Sequence, residues 1–380
     1  MIALFLLLWL GFTIVNASYM PHMLWFSYYS VDYSQGFVRR GLAGEILNLA
    51  PADLYFGAVL TIRWLVSALF IVSLAAVAWT VSVRFGRSER RLMLALLTPV
   101  LPFGFATAIY SPHPDLLARA ALAAFAVTLS WTKDRRKIVF ASSVFGLATG
   151  VLALIHEAIP LLYSLGAIAV IVVLAAHQSF KIQRLCALCA ITPGLVVSLA
   201  IALFGRRGIS AQLCARVPHD RSRVGQNFID YHDFVCRNAV SFIDQTPADA
   251  VRMVANAGAV ALVMSTVLGV LLFAVTILVI NHISGVPIAR FCNVLRGRLV
   301  WVSFGVLLFV PLFVVSLDWT RWWVTISFDV GVVYLLYASS QPEVALPPAA
   351  RTRILFVVGI ILFACFPIGA LANVGMRPLV

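Results

Sequence analysis

Charged residues are scarce in this sequence, since they make up 11% of its 380 residues and only three of them are lysines. An ordinary soluble domain contains about 25% charged residues, so this composition argues against a water-soluble fold. The sequence also lacks the glycine-rich nucleotide-binding motifs and the Gly-x-Ser-x-Gly elbow of hydrolases. We therefore expect no ATP-driven chemistry within the chain and no organic cofactor.

Apolar residues fill most of the chain, at 62% of the total with a mean hydropathy of +0.98. A helix needs roughly 20 apolar residues to cross the hydrocarbon core of a bilayer, which leaves room for about eleven spans. The sequence thus predicts an all-α polytopic membrane protein that forms a single transmembrane domain over residues 1–380. The predicted spans are 2–18, 55–83, 92–111, 116–132, 138–155, 158–176, 185–204, 256–281, 299–317, 322–338 and 354–372.

Basic residues are concentrated in every second loop between these spans. The basic loops lie at 84–91, 133–137, 181–184, 290–298 and 351–353. Because such loops remain on the cytoplasmic side, we predict a multi-pass protein of a bacterial inner membrane with its N-terminus inside and its C-terminus outside. The net charge of +13 is then largely an orientation signal and does not indicate nucleic acid binding. The first span could instead be a signal peptide cleaved near Val15-Asn16-Ala17.

Two loops on the predicted outer side are long, residues 19–54 and residues 205–255. The first contains Asp32 and the adjacent Arg39 and Arg40, bracketed by glycines, and residues 37–49 are predicted to form a short helix on the membrane surface. The two arginines have two interpretations, contact with lipid headgroups or a functional role.

The second loop carries Cys214 and Cys236. A disulfide between them is one possibility if the outer side is oxidising. The loop also contains His219 and His232 near several aspartates, but their spacing matches no recognised zinc pattern. We therefore predict no metal site.

Three short turns on the same predicted side hold the other unusual polar residues. The pairs are His113 and Asp115, His156 and Glu157, and Asp318 and Arg321. Helix capping is an alternative role for Asp115, and a local ion pair within a tryptophan belt is an alternative for Asp318 and Arg321. An acid and an imidazole at the edge of hydrocarbon are costly unless they face a cavity or a partner, and the planar guanidinium of arginine matches phosphate oxygens.

These residue types together predict one site for an anionic substrate on the outer side. The predicted catalytic residues are Asp32, His156 and Glu157. The predicted substrate-binding residues are Arg39, Arg40, His113, Asp115, Asp318 and Arg321.

With this layout the chain resembles bacterial polytopic proteins of cell-surface polysaccharide assembly, namely GT-C glycosyltransferases and O-antigen polymerase-like proteins. The resemblance covers the number of spans, the first outward loop with an acidic residue and a surface helix, and the second large outward loop. It implies that Asp32, or as a second choice Glu45, is the catalytic base, although the adjacent acidic pair of many GT-C enzymes is missing. It further implies that Arg39, Arg40 and the arginines of 206–223 contact substrate.

The implied reaction transfers a sugar from a polyprenyl-phosphate donor to a glycan or lipid acceptor, with membrane lipids as further partners and no nucleic acid. Three alternatives remain open: a transporter or flippase, a membrane acyltransferase with His156 as base, and a non-enzymatic scaffold. A transport path requires polar residues deep within the spans. Arg63 and Arg119 are the main ones in the sequence, each near the end of a span.

Overall fold

Long apolar segments fold as helices in a membrane because a helix satisfies its own backbone hydrogen bonds where water is absent. The computed structural model of the protein describes residues 2–18, 27–220 and 230–366, and these residues contain helices and no strand. The α-helices are α1 Ile2–Ser18, α2 Gly41–Leu47, α3 Tyr55–Val83, α4 Glu89–Leu97, α5 Phe105–Tyr110, α6 Asp115–Trp131, α7 Arg135–Ala153, α8 Ile159–Leu174, α9 Phe180–Phe204, α10 Ser210–Cys214, α11 Tyr231–Val235, α12 Pro247–Asn256, α13 Ala259–Ser284, α14 Ile288–Arg296, α15 Leu299–Leu307, α16 Val310–Val315, α17 Trp319–Ser339 and α18 Ala350–Cys365. Short 3-10 helices occur at Ala52–Leu54, Thr98–Val100, Ser241–Ile243 and Pro342–Ala345, and a π-helical turn at Cys236–Val240.

The prediction of an all-helical membrane protein is confirmed, and each predicted span overlaps one or more helices within its described residues. The count of eleven spans is not confirmed. Six described helical segments are long and apolar enough to cross a membrane, with Glu89–Tyr110, which contains α4 and α5, counted as one. The number is seven if a bent pair of helices is also counted as one span. Residues 367–372 of the last predicted span lie outside the described residues.

Two of the predicted spans are interrupted. The segment predicted at 92–111 ends as an α-helix at Leu97, and α5 begins only at Phe105. Pro99 and Pro102 explain the break, since a proline inside a helix removes a hydrogen bond and clashes with the preceding turn. Pro311 stands at the start of α16, where the segment predicted at 299–317 is likewise divided into two helices.

The basic loops meet at one end of the helical bundle, which we call the basic end. Arg353 contacts Glu89 at 2.6 Å, and Arg90 donates to the carbonyl of Ile283 at 2.7 Å. Arg298 donates to Gln183 at 2.9 Å, which extends the same cluster to the start of α9. This clustering is the arrangement that the alternation of basic loops predicts.

The centre of the bundle is α8, in which fourteen of sixteen residues are buried. Its side chains pack against α6, α9 and α17 in the main hydrophobic core. A helix that is buried on all sides shows little amphipathic pattern, which is why hydropathy alone does not reveal its central position.

A second, smaller core lies at the end opposite the basic loops. The two long loops form it together, with Val31 and Leu47 from the first loop and Ile209, Val235 and Ile243 from the second. We call these two loops, residues 27–54 and the described part of 205–255, the cap. Cys214 and Cys236 are joined by a disulfide within it, with 5.4 Å between their Cα atoms.

Candidate functional site

A cavity of about 670 Å³ lies between the cap and the helix ends beneath it. Its walls come from α8, α9, α12, α16 and α17 together with cap residues. The basic loops lie at the other ends of these helices, so the cavity and the basic end are on opposite sides of the bundle.

The cavity brings together eight of the nine predicted site residues. Those that line it are Arg39, Arg40, His113, His156, Glu157, Asp318 and Arg321. Asp115 is buried directly behind, where it contacts His156 and Arg321. These residues come from four separate parts of the chain, so the fold assembles them at one place.

Glu157 binds the arginine pair of the first loop. Arg40 donates from Nε and Nη2 to the two carboxylate oxygens of Glu157, each at 3.0 Å, and Nη1 of Arg39 lies 3.7 Å from the same carboxylate. Arg40 is also the one non-glycine residue with positive φ, 65°, among the described parts of the chain. Such strain costs on the order of 1–3 kcal/mol and occurs often at functional sites. Here the fork-to-fork contact with Glu157 holds Arg40 in that conformation.

The local sequence explains how Arg40 comes to face the cavity. Helix α2 begins directly after it, and Gly41 and Gly44 let this helix approach the preceding loop closely. A Cβ on Gly41 would lie 2.2 Å from the ring of Tyr33, and one on Gly44 would lie 2.2 Å from the carbonyl oxygen of Val31. Both glycines are therefore required by packing, and they fix the direction in which the arginine pair leaves the loop.

Arg321 forms the second charged centre of the cavity. Its Nη2 lies 2.9 Å from the carboxylate of Asp318, and its Nε lies 3.6 Å from that of Asp115. Its Nη1 lies 3.0 Å from Nε2 of His113 and 3.4 Å from the hydroxyl of Tyr28. A guanidinium with several fixed partners is positioned before any substrate arrives, which lowers the cost of ordering it on binding.

His156 and Asp115 form a buried pair. Nδ1 of His156 lies 3.0 Å from Oδ1 of Asp115, although the two groups are not aligned as a hydrogen bond. The side chains are 5% and 3% exposed. A carboxylate next to Nδ1 orients an imidazole as a general base that acts through Nε2, and His156 lines the cavity.

The environment sets the protonation of two further residues. Burial alone would raise the pKa of Glu157, but the positive charge of Arg40 with its hydrogen bonds, and that of Arg39, outweigh this and hold it well below its usual range. Burial and the charge of Arg321 lower the pKa of His113. Glu157 is therefore an anion at neutral pH and His113 is a neutral imidazole.

Asp32, the preferred catalytic base in the sequence, does not line the cavity. Its carboxylate accepts hydrogen bonds from Ser34 and Asn48 and contacts Arg216 at 3.3 Å. A turn at Gly36, where φ is 96°, separates it from the arginine pair that follows in sequence. Glu45, the second choice, accepts a hydrogen bond from the backbone of Tyr33 at 2.7 Å. Both acids stabilise the cap in this structure.

Only some of the described arginines of the second loop line the cavity. Arg206 and Arg207 line the cavity, whereas Arg216 contacts Asp32. Arg221 and Arg223 lie outside the described residues.

Asp329, which is not among the predicted site residues, is fully buried in the middle of α17. Its Oδ2 accepts a hydrogen bond from the backbone of Gly166 at 3.1 Å, and its Oδ1 has no hydrogen-bond partner. Arg321, Thr325 and Asp329 recur every fourth residue, a spacing that places them on one face of a helix. This stripe is the signal that was available in the sequence.

The stripe of Arg321, Thr325 and Asp329 leads from the cavity into the interior of the helical bundle. Arg119, also buried, donates to Thr325 at 3.1 Å and to the hydroxyl of Tyr163 at 3.3 Å. Tyr163 in turn donates to the backbone carbonyl of Asp115 at 3.1 Å. Arg119 lies near the end of a predicted span, yet its 2% exposure shows that it is enclosed by the helices.

The cavity has a basic side and an apolar side. Five arginines line it against two carboxylates, those of Glu157 and Asp318. The apolar side comes mainly from α8, α9, α12 and α16, with Leu161, Ile201, Ala202, Met253, Pro311, Leu312 and Val315. This distribution suits a ligand that is anionic at one end and apolar at the other.

The carboxylates of the cavity do not form a metal-binding group among the described residues. Within those residues, one set of potential ligands is close enough, namely Cys214, His232 and Cys236 in the cap.

A bundle of apolar helices with an amphipathic cavity defines the class as a helical membrane protein. Over residues 1–364 the chain matches the family described as "Uncharacterised membrane protein Rv1490", and it belongs to that family. It is 40% identical to "Uncharacterized protein Rv1490" of Mycobacterium tuberculosis (strain H37Rv), over an alignment that covers 95% of this chain and 87% of the relative. The same values hold for "Uncharacterized protein Mb1527" of Mycobacterium bovis. No solved structure matches the chain.

Proposed function

We propose that this protein is a membrane glycosyltransferase or polysaccharide polymerase that uses polyprenyl-phosphate-linked sugars at a site facing away from the cytoplasm. The observation that carries the proposal is the cavity, in which five arginines face an apolar wall. The basic loops at the opposite end favour an outward-facing site in a bacterial inner membrane. Membership of a family of membrane proteins agrees with this location but does not specify the reaction.

The phosphate and the polyprenyl chain of the donor each match one side of the cavity. Arg40 and Arg321 present guanidinium groups to the phosphate, as phosphate recognition favours. The apolar wall between α9 and α16 accommodates the first isoprene units. The donor is already activated, so the enzyme supplies orientation, charge stabilisation and a base.

The reaction follows from the His156–Asp115 pair. Nε2 of His156 takes the proton of an acceptor hydroxyl as that oxygen forms a bond to the anomeric carbon of the sugar. The bond from the anomeric carbon to the phosphate oxygen breaks, and the polyprenyl phosphate leaves with the electron pair, held by the arginines. Asp115 stabilises the imidazolium that results. Because Asp32 does not reach the cavity, His156 replaces it as the proposed base.

Ligand binding tests the donor site directly. Purified protein in detergent is titrated with farnesyl phosphate, and with farnesol as the uncharged control. We expect the phosphate compound to bind at least about tenfold more tightly, the value of one charge-assisted hydrogen bond. Arg321→Ala and Arg40→Ala should remove this preference, and Arg298→Ala at the basic end should keep it. Equal affinity for both compounds in the wild-type protein would refute the proposal.

Surface glycan tests the transfer step. In cells that lack the native gene, we expect His156→Ala and Asp115→Asn to abolish glycan restoration and Asp32→Asn to retain it, at equal protein levels. Wild-type glycan with both cavity variants would contradict the assigned chemistry even if farnesyl phosphate binds.

A transporter of lipid-linked or anionic solutes is a second candidate, favoured by one observation. The polar stripe through Thr325, Arg119 and Asp329 extends from the cavity into the bundle, as a translocation path requires. Flux of a fluorescent polyprenyl-phosphate analogue across liposomes that contain the protein distinguishes the two. A transporter gives flux that Asp329→Asn reduces, and the proposed transferase gives none.

A further inference from the structure

We propose that Cys214, Cys236 and His232 form a binding site for a thiophilic divalent metal ion, of which Zn²⁺ is the representative, when the disulfide of the cap is reduced. The inference concerns the cap and does not depend on the proposed glycosyl transfer. It differs from the prediction that the second loop holds no metal site.

The imidazole of His232 already lies at a metal-site distance from the two sulfur atoms, which separate from each other when the disulfide is reduced. Nε2 of His232 lies 3.7 Å from Sγ of Cys214 and 3.8 Å from Sγ of Cys236. A tetrahedral zinc site with Zn–S of about 2.3 Å and Zn–N of about 2.0 Å has nitrogen-to-sulfur edges of about 3.5 Å. The measured distances exceed this value only slightly, so the imidazole needs little movement.

Local structure produces this arrangement. His232 and Cys236 are four residues apart in the helical segment that begins at Tyr231, so they lie on the same face. The end of α10 brings Cys214 to that face. All three residues are half-buried in the cap, which shields the site partly from water while leaving room for a fourth ligand from solvent.

A second, independent observation supports the metal site. Nδ1 of His232 lies 3.2 Å from the carboxylate of Asp233. A histidine that binds a metal through one nitrogen usually donates its other N–H to a carboxylate or carbonyl, which fixes the tautomer and the ring orientation. The ring of His219 also stacks on His232, with 4.1 Å between the centroids. His232 is therefore oriented with Nε2 toward the two sulfur atoms.

The disulfide and the metal are alternative closures of the same loop. An external dithiol reduces the disulfide by exchange, which yields two cysteine thiols and one oxidised dithiol. Metal binding then releases the two thiol protons, and two thiolates neutralise the divalent ion. The closed segment, with a sequence separation of 22, stays tied in both states. Phe234, between His232 and Cys236, lines the cavity, so this closure also fixes one cavity wall.

Cobalt binding tests the proposal. The full-length protein is reduced with a phosphine in detergent, the phosphine is removed without oxygen, and Co²⁺ is added. We expect one Co²⁺ per chain with a sulfur-to-cobalt charge-transfer band and tetrahedral d–d bands, and no such bands in the oxidised protein. His232→Ala should weaken binding at least about 100-fold, because a direct ligand is lost.

Controls separate this site from the other thiols. His219→Ala removes the ring that stacks on His232 but leaves all three proposed ligands in place. It should therefore change the affinity for Co²⁺ less than about threefold. The cysteines that are unpaired in the structure are Cys186, Cys189, Cys292 and Cys365. A variant with serine at these four positions should bind Co²⁺ as the wild-type protein does.

A measurement on the wild-type protein guards against variants that fail to fold. Zn²⁺ should slow alkylation of Cys214 and Cys236 in the reduced protein at least about tenfold, as mass spectrometry of their peptides would show. Equal alkylation with and without Zn²⁺, or Co²⁺ bands that persist in His232→Ala, would overturn the proposal.

Discussion

The two ends of the bundle use arginine in different ways. At the basic end, the side chains of Arg353 and Glu89 form an ion pair that is 53% and 44% exposed. Arg90 donates to the carbonyl of Ile283 in the last turn of α13, a place where a positive charge complements the helix dipole. At the cavity end, the side chain of Arg321 is 6% exposed and contacts two carboxylates.

The difference shows which arginines serve the fold and which are available to a ligand. An arginine that caps a helix or forms an exposed pair requires little from its surroundings, and it stabilises the protein by at most about 1 kcal/mol. A buried arginine is costly to desolvate unless its partners compensate. At the cavity end, several charged side chains are desolvated in this way, and the hydrophobic core there is not larger as a result. Such a concentration of buried charge is typical of a functional site.

Loss of Arg321 is expected to have the largest effect on stability. Arg321→Ala leaves Asp115 and Asp318 without their shared partner and should lower the free energy of unfolding by about 3–5 kcal/mol. Arg353→Ala at the basic end should lower it far less, because its ion pair with Glu89 is exposed to solvent. Denaturant unfolding in mixed micelles measures both values.

A triple variant checks the reason for that loss. Replacing Arg321, Asp115 and Asp318 with Met, Asn and Asn removes all the charges together and should recover most of the stability, since an uncharged cluster leaves no unpaired ion. The same variant should no longer prefer farnesyl phosphate over farnesol. If it keeps that preference, Arg321 and its two carboxylate partners have no special role in anion binding.

Loss of Glu157 is expected to have an intermediate effect. Glu157→Gln weakens the two hydrogen bonds from Arg40 and leaves the strained backbone of Arg40 unsupported, so the free energy of unfolding should fall by about 2 kcal/mol. The matched change at the basic end, Glu89→Gln, removes an exposed partner of Arg353 and should lower the free energy of unfolding much less.

Salt provides the control for this pair of variants. The small contribution of Glu89 should disappear at high ionic strength, whereas that of Glu157 should persist because its contacts are largely shielded from solvent. Equal losses in the two variants would show that the two ends do not differ in the way that their burial implies.

The helical framework could be predicted from the sequence because hydrophobicity and length determine which segments become helices in a membrane. The candidate site residues could also be selected from the sequence, by their residue type and by their position on the predicted outer side of the membrane. What could not be predicted was the effect of local turns. Asp32 and Arg40 are close in sequence, yet the positive φ values of Gly36 and Arg40 direct them to different places. Such dihedral angles leave little trace in composition.

Asp329 illustrates a second limit. Phe328 and Val330 flank it in an apolar helix, so an average over a window conceals one carboxylate. Its role depends on Gly166 of another helix, which donates to it and leaves space for it. Contacts between helices of this kind are set by packing across the bundle, and the sequence of one helix does not encode them.

The pH dependence of stability should show the smallest of these effects, and it isolates His113. Burial and Arg321 lower its pKa in the folded protein, so the unfolded chain takes up a proton from about pH 6.5 downward while the folded protein does not. The stabilisation is thus complete above about pH 6.5 and is lost as the pH falls, by at most about 1.4 kcal/mol per pH unit. Thermal unfolding between pH 7 and pH 5 measures the slope.

His113→Asn should flatten this slope because asparagine does not titrate. Glu157 does not interfere, since its pKa is lowered from an ordinary value of 4.5 and its contribution is lost only in more acidic solution. Identical slopes for the variant and the wild-type protein would mean that His113 is protonated in the folded state. Arg321 would then face a cation, and the basic side of the cavity would hold its charge less favourably than the structure indicates.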